Sequence, residues 1–164
     1  MNTAALALAD NALLNLQTIT LNRGQILYHG ARSTQMITRM RSNAMFTSDL
    51  FYAVDYAFFR DQDKSHESES DLYRSLFCCT LVKDIDIIII TGVDWPDLCM
   101  QIRKADDTMP KYDRWLQQHL TSYLAMRYGD RVEGAKLLSS PSGSLDEYIF
   151  NNANSIFSIH RRID

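Results

Sequence analysis

Three short segments decide the fold expected for this chain: Ile26–Gly30 (ILYHG), Met45–Ala57 (MFTSDLFYAVDYA) and Asp146–Phe150 (DEYIF). The first and the last are short, largely apolar runs of strand length that include titratable side chains. The middle segment begins as a strand and continues as a helix, because Ser48 and Asp49 are residue types that cap helix N-termini. In chain order, the three segments predict a strand, a strand–helix unit and a late strand that carry a histidine, tyrosines and a glutamate.

Around these segments the sequence alternates between helical and strand patterns without internal repeats. We expect an α+β fold, a single domain over residues 1–164 with a split, mixed β-sheet core flanked by helices. An N-terminal helix is expected over residues 1–20, a mobile polar loop over 61–71, and a long amphipathic helix from Lys111 to Tyr128 that ends at Gly129. Further strands are expected at residues 25–29, 44–47, 72–82, 85–91, 135–138, 147–150 and 155–160, helices at 50–59 and 94–104, and a helix or an irregular crossing at 33–41.

Composition excludes several function classes. The chain has a formal net charge of -3, whereas a broad nucleic-acid surface needs a basic excess to displace counterions. Arg32, Arg39 and Arg41 cluster just after the first segment, and a solvated helix face is the favoured interpretation of that cluster. No apolar stretch approaches the ~18 to 20 residues of a membrane span. We therefore expect neither a nucleic-acid nor a membrane partner.

The three cysteines predict neither disulfides nor a metal site. Cys78 and Cys79 are neighbours in an apolar strand pattern, and Cys99 stands alone. No Cys-x-x-Cys or His-x-x-x-His spacing accompanies them, so no metal is expected. Free thiols favour a reducing compartment, and we expect the protein in the cytoplasm of the producing cell or, if it is delivered, of a host cell.

Taken together and in this order, the three segments resemble the ADP-ribosyltransferase fold, in the branch with a His-Tyr-Glu signature shared by diphtheria toxin and the poly(ADP-ribose) polymerases. The resemblance implies an enzyme that uses NAD as co-substrate. It also implies the roles of individual residues. His29 matches the histidine that hydrogen-bonds an NAD ribose, Gly30 contributes backbone contacts to the nicotinamide amide, and Tyr56 stacks on nicotinamide.

The same resemblance assigns further binding residues and the catalytic one. Thr47 and Ser48 match the small polar end of the second strand, and Tyr28 precedes the histidine. Met45 stands where the polymerases have a second tyrosine, so Tyr52, one helical turn before Tyr56, is a substitute for it or a simple rim residue. The catalytic glutamate is followed by a tyrosine in this family, which assigns that role to Glu147.

The chemistry of NAD cleavage suits these residue types. Breaking the nicotinamide–ribose bond creates an oxocarbenium-like centre that a carboxylate stabilises, and the cationic leaving group requires no general acid. Adjacent strand residues point to opposite faces, so Asp146 and Glu147 cannot both enter one cleft. Leu145 stands where the arginine-modifying branch has Glu or Gln, which disfavours arginine as the usual acceptor.

The function expected from the sequence is mono-ADP-ribosyl transfer from NAD to a macromolecular acceptor, a protein such as one of a host or target cell. The size of the domain suits a microbial effector, a toxin or a phage-encoded modifier. Two alternatives remain open. One is a non-catalytic NAD-binding or protein-binding module on the same fold. The other is an RNA 2'-phosphotransferase, which the acidic charge balance disfavours.

Overall fold

Eight strands form a single mixed sheet in the part of the chain that the computed structural model describes, residues 1–13, 16–33, 36–41, 44–59, 73–109, 119–138 and 146–163. The strands are β1 (Gln17–Leu21), β2 (Ile26–Ser33), β3 (Met45–Thr47), β4 (Tyr73–Leu81), β5 (Ile85–Ile90), β6 (Gly134–Leu138), β7 (Asp146–Phe150) and β8 (Phe157–Ile163). Their order is β1-β5-β6-β7-β3-β2-β4-β8. The β5–β6 pair is parallel and the other described pairs are antiparallel.

Five α-helices accompany the sheet in the described ranges. They are α1 (Thr3–Ala12), α2 (Leu50–Val54), α3 (Trp95–Ala105), α4 (Thr121–Tyr128) and α5 (Ala153–Ile156). A π-helical turn, Asp55–Phe59, continues α2 directly, and a 3₁₀ turn, Gly129–Arg131, follows α4. The α+β class with a mixed sheet is therefore confirmed. The sheet is continuous rather than split, although β2 and β3 pair at a single position, Tyr28 with Thr47.

The sheet buries an apolar cluster on each face. One face carries Tyr28, Thr47 and Glu147, which are successive cross-strand partners, and we name it the Glu147 face. Its cluster joins β5, β6 and β7 to α1, α3 and α4. The opposite face carries Phe46 and Tyr148, and we name it the His29 face because His29 lies on it. Its cluster includes Phe77, Phe150 and Phe157, and is covered by α5 and by Met40.

The buried strand β5 follows the sequence pattern closely. Ile87 and Ile88 are fully buried and Ile90 is 1% exposed, although consecutive strand residues point to opposite faces. A strand with apolar clusters on both sides accounts for the unbroken isoleucine run.

The prediction of a helix over residues 1–20 was wrong in its second half. The helix α1 ends at Ala12, and Gln17–Leu21 forms the edge strand β1, antiparallel to β5. The leucine spacing of the first sixteen residues is helical, but the segment QTITL has β-branched residues in alternation, which favour a strand once a partner is present. That partner is more than sixty residues away in the sequence, so local periodicity did not reveal it.

Other helix and strand boundaries also differ from the predicted ones because of contacts between distant segments. The first motif strand continues to Ser33 because β4 pairs with it over eight residues. Within 33–41, the described residues 36–41 form neither helix nor strand, and Met40 is tied to Asn154 by two hydrogen bonds. The last strand begins at Phe157, after the short helix α5. The polar loop 61–71 and residues 111–118 of the expected long helix lie outside the described residues.

The predicted ends of three helices are confirmed in the described residues. Asp49 caps α2, because its side chain accepts hydrogen bonds from the backbone N–H groups of Phe51 and Tyr52. Asp94 caps α3 in the same way. Gly129 ends α4 with a φ of 61°, a left-handed conformation that glycine adopts without steric cost.

Candidate active site

The three sequence motifs meet on three adjacent strands. In the sheet, β7 pairs with β3 and β3 pairs with β2, so the strand of Glu147 lies two positions from the strand of His29. Glu147 is the cross-strand partner of Thr47, and Thr47 is the partner of Tyr28. These three side chains therefore form one row across the Glu147 face, with neighbouring strands ~4.8 Å apart.

Glu147 is held by a residue of the helix that follows β3. The phenolic Oη of Tyr52 donates a hydrogen bond to Glu147 Oε1 at 3.0 Å. Both side chains are partly exposed. Among the described residues, only Oε1 of the Glu147 carboxylate has a hydrogen-bond partner, so one of its two oxygens is fixed. The sequence signal for Tyr52 is its spacing of one helical turn from Tyr56, which predicts a substitute for the second tyrosine or a rim residue but not a contact with Glu147.

The start of α2 is set by the small polar residues at the end of β3. Thr47 is 4% exposed, and its Oγ1 accepts a hydrogen bond from the backbone N–H of Asp49 at 3.0 Å. Asp49 then caps the helix, while Ser48 between them is exposed. Thr47 thus has a role in the chain turn from strand to helix, and its side chain remains next to Glu147 in the row.

Gly30 allows α2 to lie directly on the Glu147 face. A Cβ built on Gly30 would lie 2.1 Å from the carbonyl oxygen of Ala53 and 3.2 Å from the backbone nitrogen of Ala57. Any side chain at this position would push the helix away from the sheet. The close approach places Tyr52 above the row and closes one side of the site.

Tyr56 lies one turn further along, away from the carboxylate. The residue is 47% exposed, and the Arg32 guanidinium carbon lies 6.0 Å from the centroid of its ring. Arg32 Nε donates to the backbone carbonyl of Tyr56, and Arg74 Nη1 donates to that of Phe58. The two arginines are cross-strand partners, and the carbonyls at the end of the π-helical turn offset their like charges. Tyr52, rather than Tyr56, contacts Glu147.

His29 lies on the other side of the sheet from Glu147. Its ring contacts Phe46 and Phe77, with centroids 5.4 and 6.0 Å away, and both rings belong to the His29-face cluster. Its Nδ1 hydrogen-bonds the carbonyl oxygen of Met45 at 2.6 Å. A carbonyl can only accept, so Nδ1 carries the proton. Burial lowers the pKa of His29, and the Met45 hydrogen bond opposes that shift. His29 was expected to bind the NAD ribose, but the structure does not bring this imidazole to the face that carries Glu147.

Asp146 lies on the opposite face of the sheet from Glu147, as the alternation of side chains along a strand predicts. Its carboxylate lies on the His29 face, 2.6 Å from Lys136 Nζ, and the Lys136 ammonium lies 5.6 Å from the centre of the Tyr148 ring. The partnership with Asp146 and Tyr148 outweighs desolvation and raises the pKa of Lys136. The two adjacent carboxylates therefore face different environments, and Asp146 is engaged in an ion pair while Glu147 is not.

Beyond Tyr28, the row continues to the edge of the sheet. Cys78 is the partner of Tyr28, and His160 is the partner of Cys78. His160 is exposed, and its Nε2 lies 3.1 Å from Ser158 Oγ. Cys79, on the His29 face, has its pKa raised to about 12 by burial and by its neighbour Cys78. Nothing in the local sequence pattern links His160 to Glu147, because only the pairing of β8 with β4 places it in this row.

Two other features are absent from the described ranges. No group of three or more His, Cys, Asp or Glu side chains there is arranged to hold a metal ion. None of the helices in that part of the chain is both long and apolar enough to cross a membrane. Comparison with family models and with curated proteins found no match to this sequence.

Proposed function

We propose that the protein is a mono-ADP-ribosyltransferase, which cleaves NAD at the nicotinamide–ribose bond and transfers ADP-ribose to a protein acceptor. The observation that carries the proposal is the Tyr52–Glu147 pair. One carboxylate oxygen is fixed at 3.0 Å from the Tyr52 hydroxyl, on a row with Thr47 and Tyr28, and the other has no hydrogen-bond partner among the described residues.

In the proposed reaction, the bond between ribose C1' and the nicotinamide nitrogen breaks, and its electron pair leaves with neutral nicotinamide. The Glu147 carboxylate stabilises the positive charge that develops on the ribose. A nucleophile of the acceptor then forms a bond to C1' and releases its proton; with water as nucleophile, the products are ADP-ribose, nicotinamide and a proton. Tyr52 orients Glu147, so the charge is placed before the reaction begins.

The placement of His29 favours one alternative, a non-catalytic binding module on the same fold. A ribose at Glu147 would not meet the imidazole, which lies among Phe46 and Phe77. The proposal therefore assigns the polar contacts of the ribose to Thr47, Tyr28 and Tyr52, and it gives His29 the role of holding β2 against β3 through Met45.

NAD cleavage by the variants Glu147→Gln and Asp146→Asn distinguishes a transferase from a non-catalytic binding module. Glu147→Gln retains the size and hydrogen-bonding capacity of the side chain but removes its charge, so kcat for nicotinamide release should fall roughly 100-fold to 1000-fold. The affinity for NAD should change far less, because the charge matters mainly in the transition state. Nicotinamide release by purified protein, followed chromatographically with labelled NAD, measures both.

Asp146→Asn is the matched control, one residue away on the opposite face. It should retain wild-type cleavage, while the loss of the ion pair with Lys136 lowers the free energy of unfolding by no more than about 1 kcal/mol. If NAD binds but both variants and the wild type release no nicotinamide, the binding-module function replaces the enzyme. If Asp146→Asn is the inactive variant, the assignment of the catalytic face is wrong.

A further inference from the structure

We propose that the edge strand β1 pairs with β1 of a second copy of this chain, so that two sheets join into one continuous sheet. The two strands run antiparallel about a two-fold axis at Ile19, which gives a closed, symmetric dimer. This inference goes beyond the proposed function and does not depend on NAD chemistry. It is carried by the backbone, the side chains and the charge of the segment Gln17–Leu21.

The outer edge of β1 is open in the part of the chain that the structure describes. β1 pairs with β5 at five consecutive positions, and no second described strand pairs with it. Gln17, Thr18 and Thr20 are exposed. The outward N–H and C=O groups of such a strand form a template on which another strand can add.

The edge strand at the other end of the sheet, β8, is protected against such pairing. His160, Arg161 and Arg162 follow one another along β8, and a register shift interrupts its pairing with β4. Basic side chains and irregular backbone on an edge both discourage the addition of a strand. β1 contains no charged residue and no proline, and its pairing with β5 has no irregularity. Of the two edges of this sheet, β1 is therefore the one suited to a partner strand.

The sequence of β1 favours a second copy of itself as that partner. Antiparallel pairing about Ile19 places Thr18 opposite Thr20 of the second copy, Ile19 opposite its own equivalent, and Gln17 opposite Leu21. Cross-strand threonine pairs stabilise an antiparallel sheet, and no like charges meet in this register. Every side chain also meets a residue of its own face, so the buried face of each copy stays continuous with that of the other.

The apolar cluster of the His29 face reaches this edge of the sheet. Ile19 is partly exposed and packs against that cluster, which includes Leu21, Ile85 and Ile87. Pairing places the Ile19 side chains of the two copies next to each other, so each covers apolar surface that the other leaves exposed. Two strands of five residues form a small interface, and we therefore expect a weak dimer that exchanges with the monomer.

Two double variants that share one substitution test the pairing and its register. Thr18→Lys/Thr20→Lys brings like charges opposite each other twice in the dimer, whereas Thr18→Glu/Thr20→Lys brings opposite charges together twice. The dissociation constant, measured by sedimentation equilibrium, should be at least about ten-fold higher for the first variant than for the second. The Thr20 hydroxyl donates a hydrogen bond to Asp86 at 2.6 Å, and both variants lose that bond equally.

The change in net charge opposes the expected result, which makes the comparison stringent. Thr18→Lys/Thr20→Lys adds two positive charges and changes the net charge of each copy from -3 to -1, whereas Thr18→Glu/Thr20→Lys adds one charge of each sign and leaves it at -3. A smaller net charge weakens the general repulsion between copies and favours association. A weaker dimer of the first variant must therefore come from the local pairs.

Hydrogen exchange of the wild type gives a test that does not depend on the variants. Amide protection within residues 17–21 should increase with protein concentration, because outward N–H groups of β1 become bonded in the dimer. Protection of β8, the other edge strand, should not change and is the control. No species larger than a dimer should form, since the pairing of the two β1 edges closes the assembly.

Each result supports or overturns the proposal. A wild type that remains monomeric up to about 1 mM, with unchanged protection of β1, shows that the proposal is wrong. A dimer that both variants form as tightly as the wild type uses another surface. If Thr18→Glu/Thr20→Lys weakens the dimer as much as Thr18→Lys/Thr20→Lys, while urea unfolding shows that both are folded, the register about Ile19 is wrong.

Discussion

His29 and Glu147 lie on strands only two positions apart, yet their side chains meet opposite environments. The His29 ring, which is also partly exposed, lies against two phenylalanine rings and donates to a backbone carbonyl, and desolvation by its surroundings lowers its pKa. Glu147 is partly exposed, and a tyrosine from α2 orients it. The first arrangement is typical of a polar residue that completes a core, and the second is typical of a group prepared for a ligand.

The difference depends on a register of one residue. Tyr28 is the only described pairing partner of β3 on β2, and it brings the even-numbered side chains of β2 onto the Glu147 face. A shift of one residue would place His29 opposite Thr47 and beside the carboxylate. Mutations that alter only one face can therefore test this difference between the two faces. Three such experiments follow, in order of decreasing expected effect.

The largest effect on stability and activity is expected when a glycine of each face is replaced by alanine. Gly30 lies on the Glu147 face and Gly134 on the His29 face, and a Cβ at either position would come equally close to a backbone carbonyl. Gly30→Ala puts a Cβ 2.1 Å from the Ala53 carbonyl, so α2 must shift together with Tyr52. The free energy of unfolding should fall by about 3 kcal/mol. NAD cleavage per folded molecule should fall about 100-fold, because the group that orients Glu147 is displaced.

Gly134→Ala is the control, because its Cβ would lie 2.2 Å from the Ile149 carbonyl without touching α2. Denaturant unfolding and NAD cleavage should show a comparable loss of stability with a much smaller loss of activity. Equal losses of activity in both variants would contradict a site organised by α2.

The second comparison removes one tyrosine hydroxyl group from each face of the sheet. Tyr52→Phe deletes the hydrogen bond to Glu147 Oε1 and should lower kcat about ten-fold, as expected for one hydrogen bond to a charged group. Tyr148→Phe makes the same change on the His29 face, beside Lys136, and should leave kcat within about two-fold. Steady-state kinetics of nicotinamide release measures both. A larger effect from Tyr148→Phe would show that the reacting ribose lies on the His29 face.

The third comparison uses pH and should have the smallest effect. His29 has a lowered pKa in the folded protein, so below its ordinary value of about 6.5 the unfolded chain binds a proton that the folded chain does not. The contribution to stability is complete above that pH and is lost as the pH falls, by up to about 1.4 kcal/mol per pH unit until the folded pKa is reached. His119 has a pKa lowered by burial too, and it contributes in the same direction.

His29→Phe should remove the His29 part of this dependence, which urea unfolding at pH 7 and pH 5.5 would reveal. The control is His160→Gln, which replaces an exposed histidine and leaves the His29 ring and its contacts in place. NAD cleavage at pH 7.5 by His29→Phe should decrease only as far as the fold is weakened. Loss of NAD binding with an unchanged pH dependence of stability would instead place His29 at the ligand.

Sequence alone determined the class of the fold and most of its local features. Asp49 and Asp94 could be recognised as helix caps because capping depends on one side chain and the next three backbone groups. The isoleucine run of β5 indicated burial on both faces, and strand alternation separated Asp146 from Glu147. These properties depend on residues close together in the chain, which is why patterns of spacing and residue type captured them.

The tertiary structure decided how distant segments meet. The pairing of Tyr28 with Thr47 put His29 on the face opposite Glu147, the close contact of Gly30 with Ala53 brought Tyr52 to the carboxylate, and β8 brought His160 into the row. Strand order, register and the approach of a helix to a sheet are fixed by the packing of the whole core. A single sequence specifies which side chains are present, and the packing of remote strands determines which of them share a face.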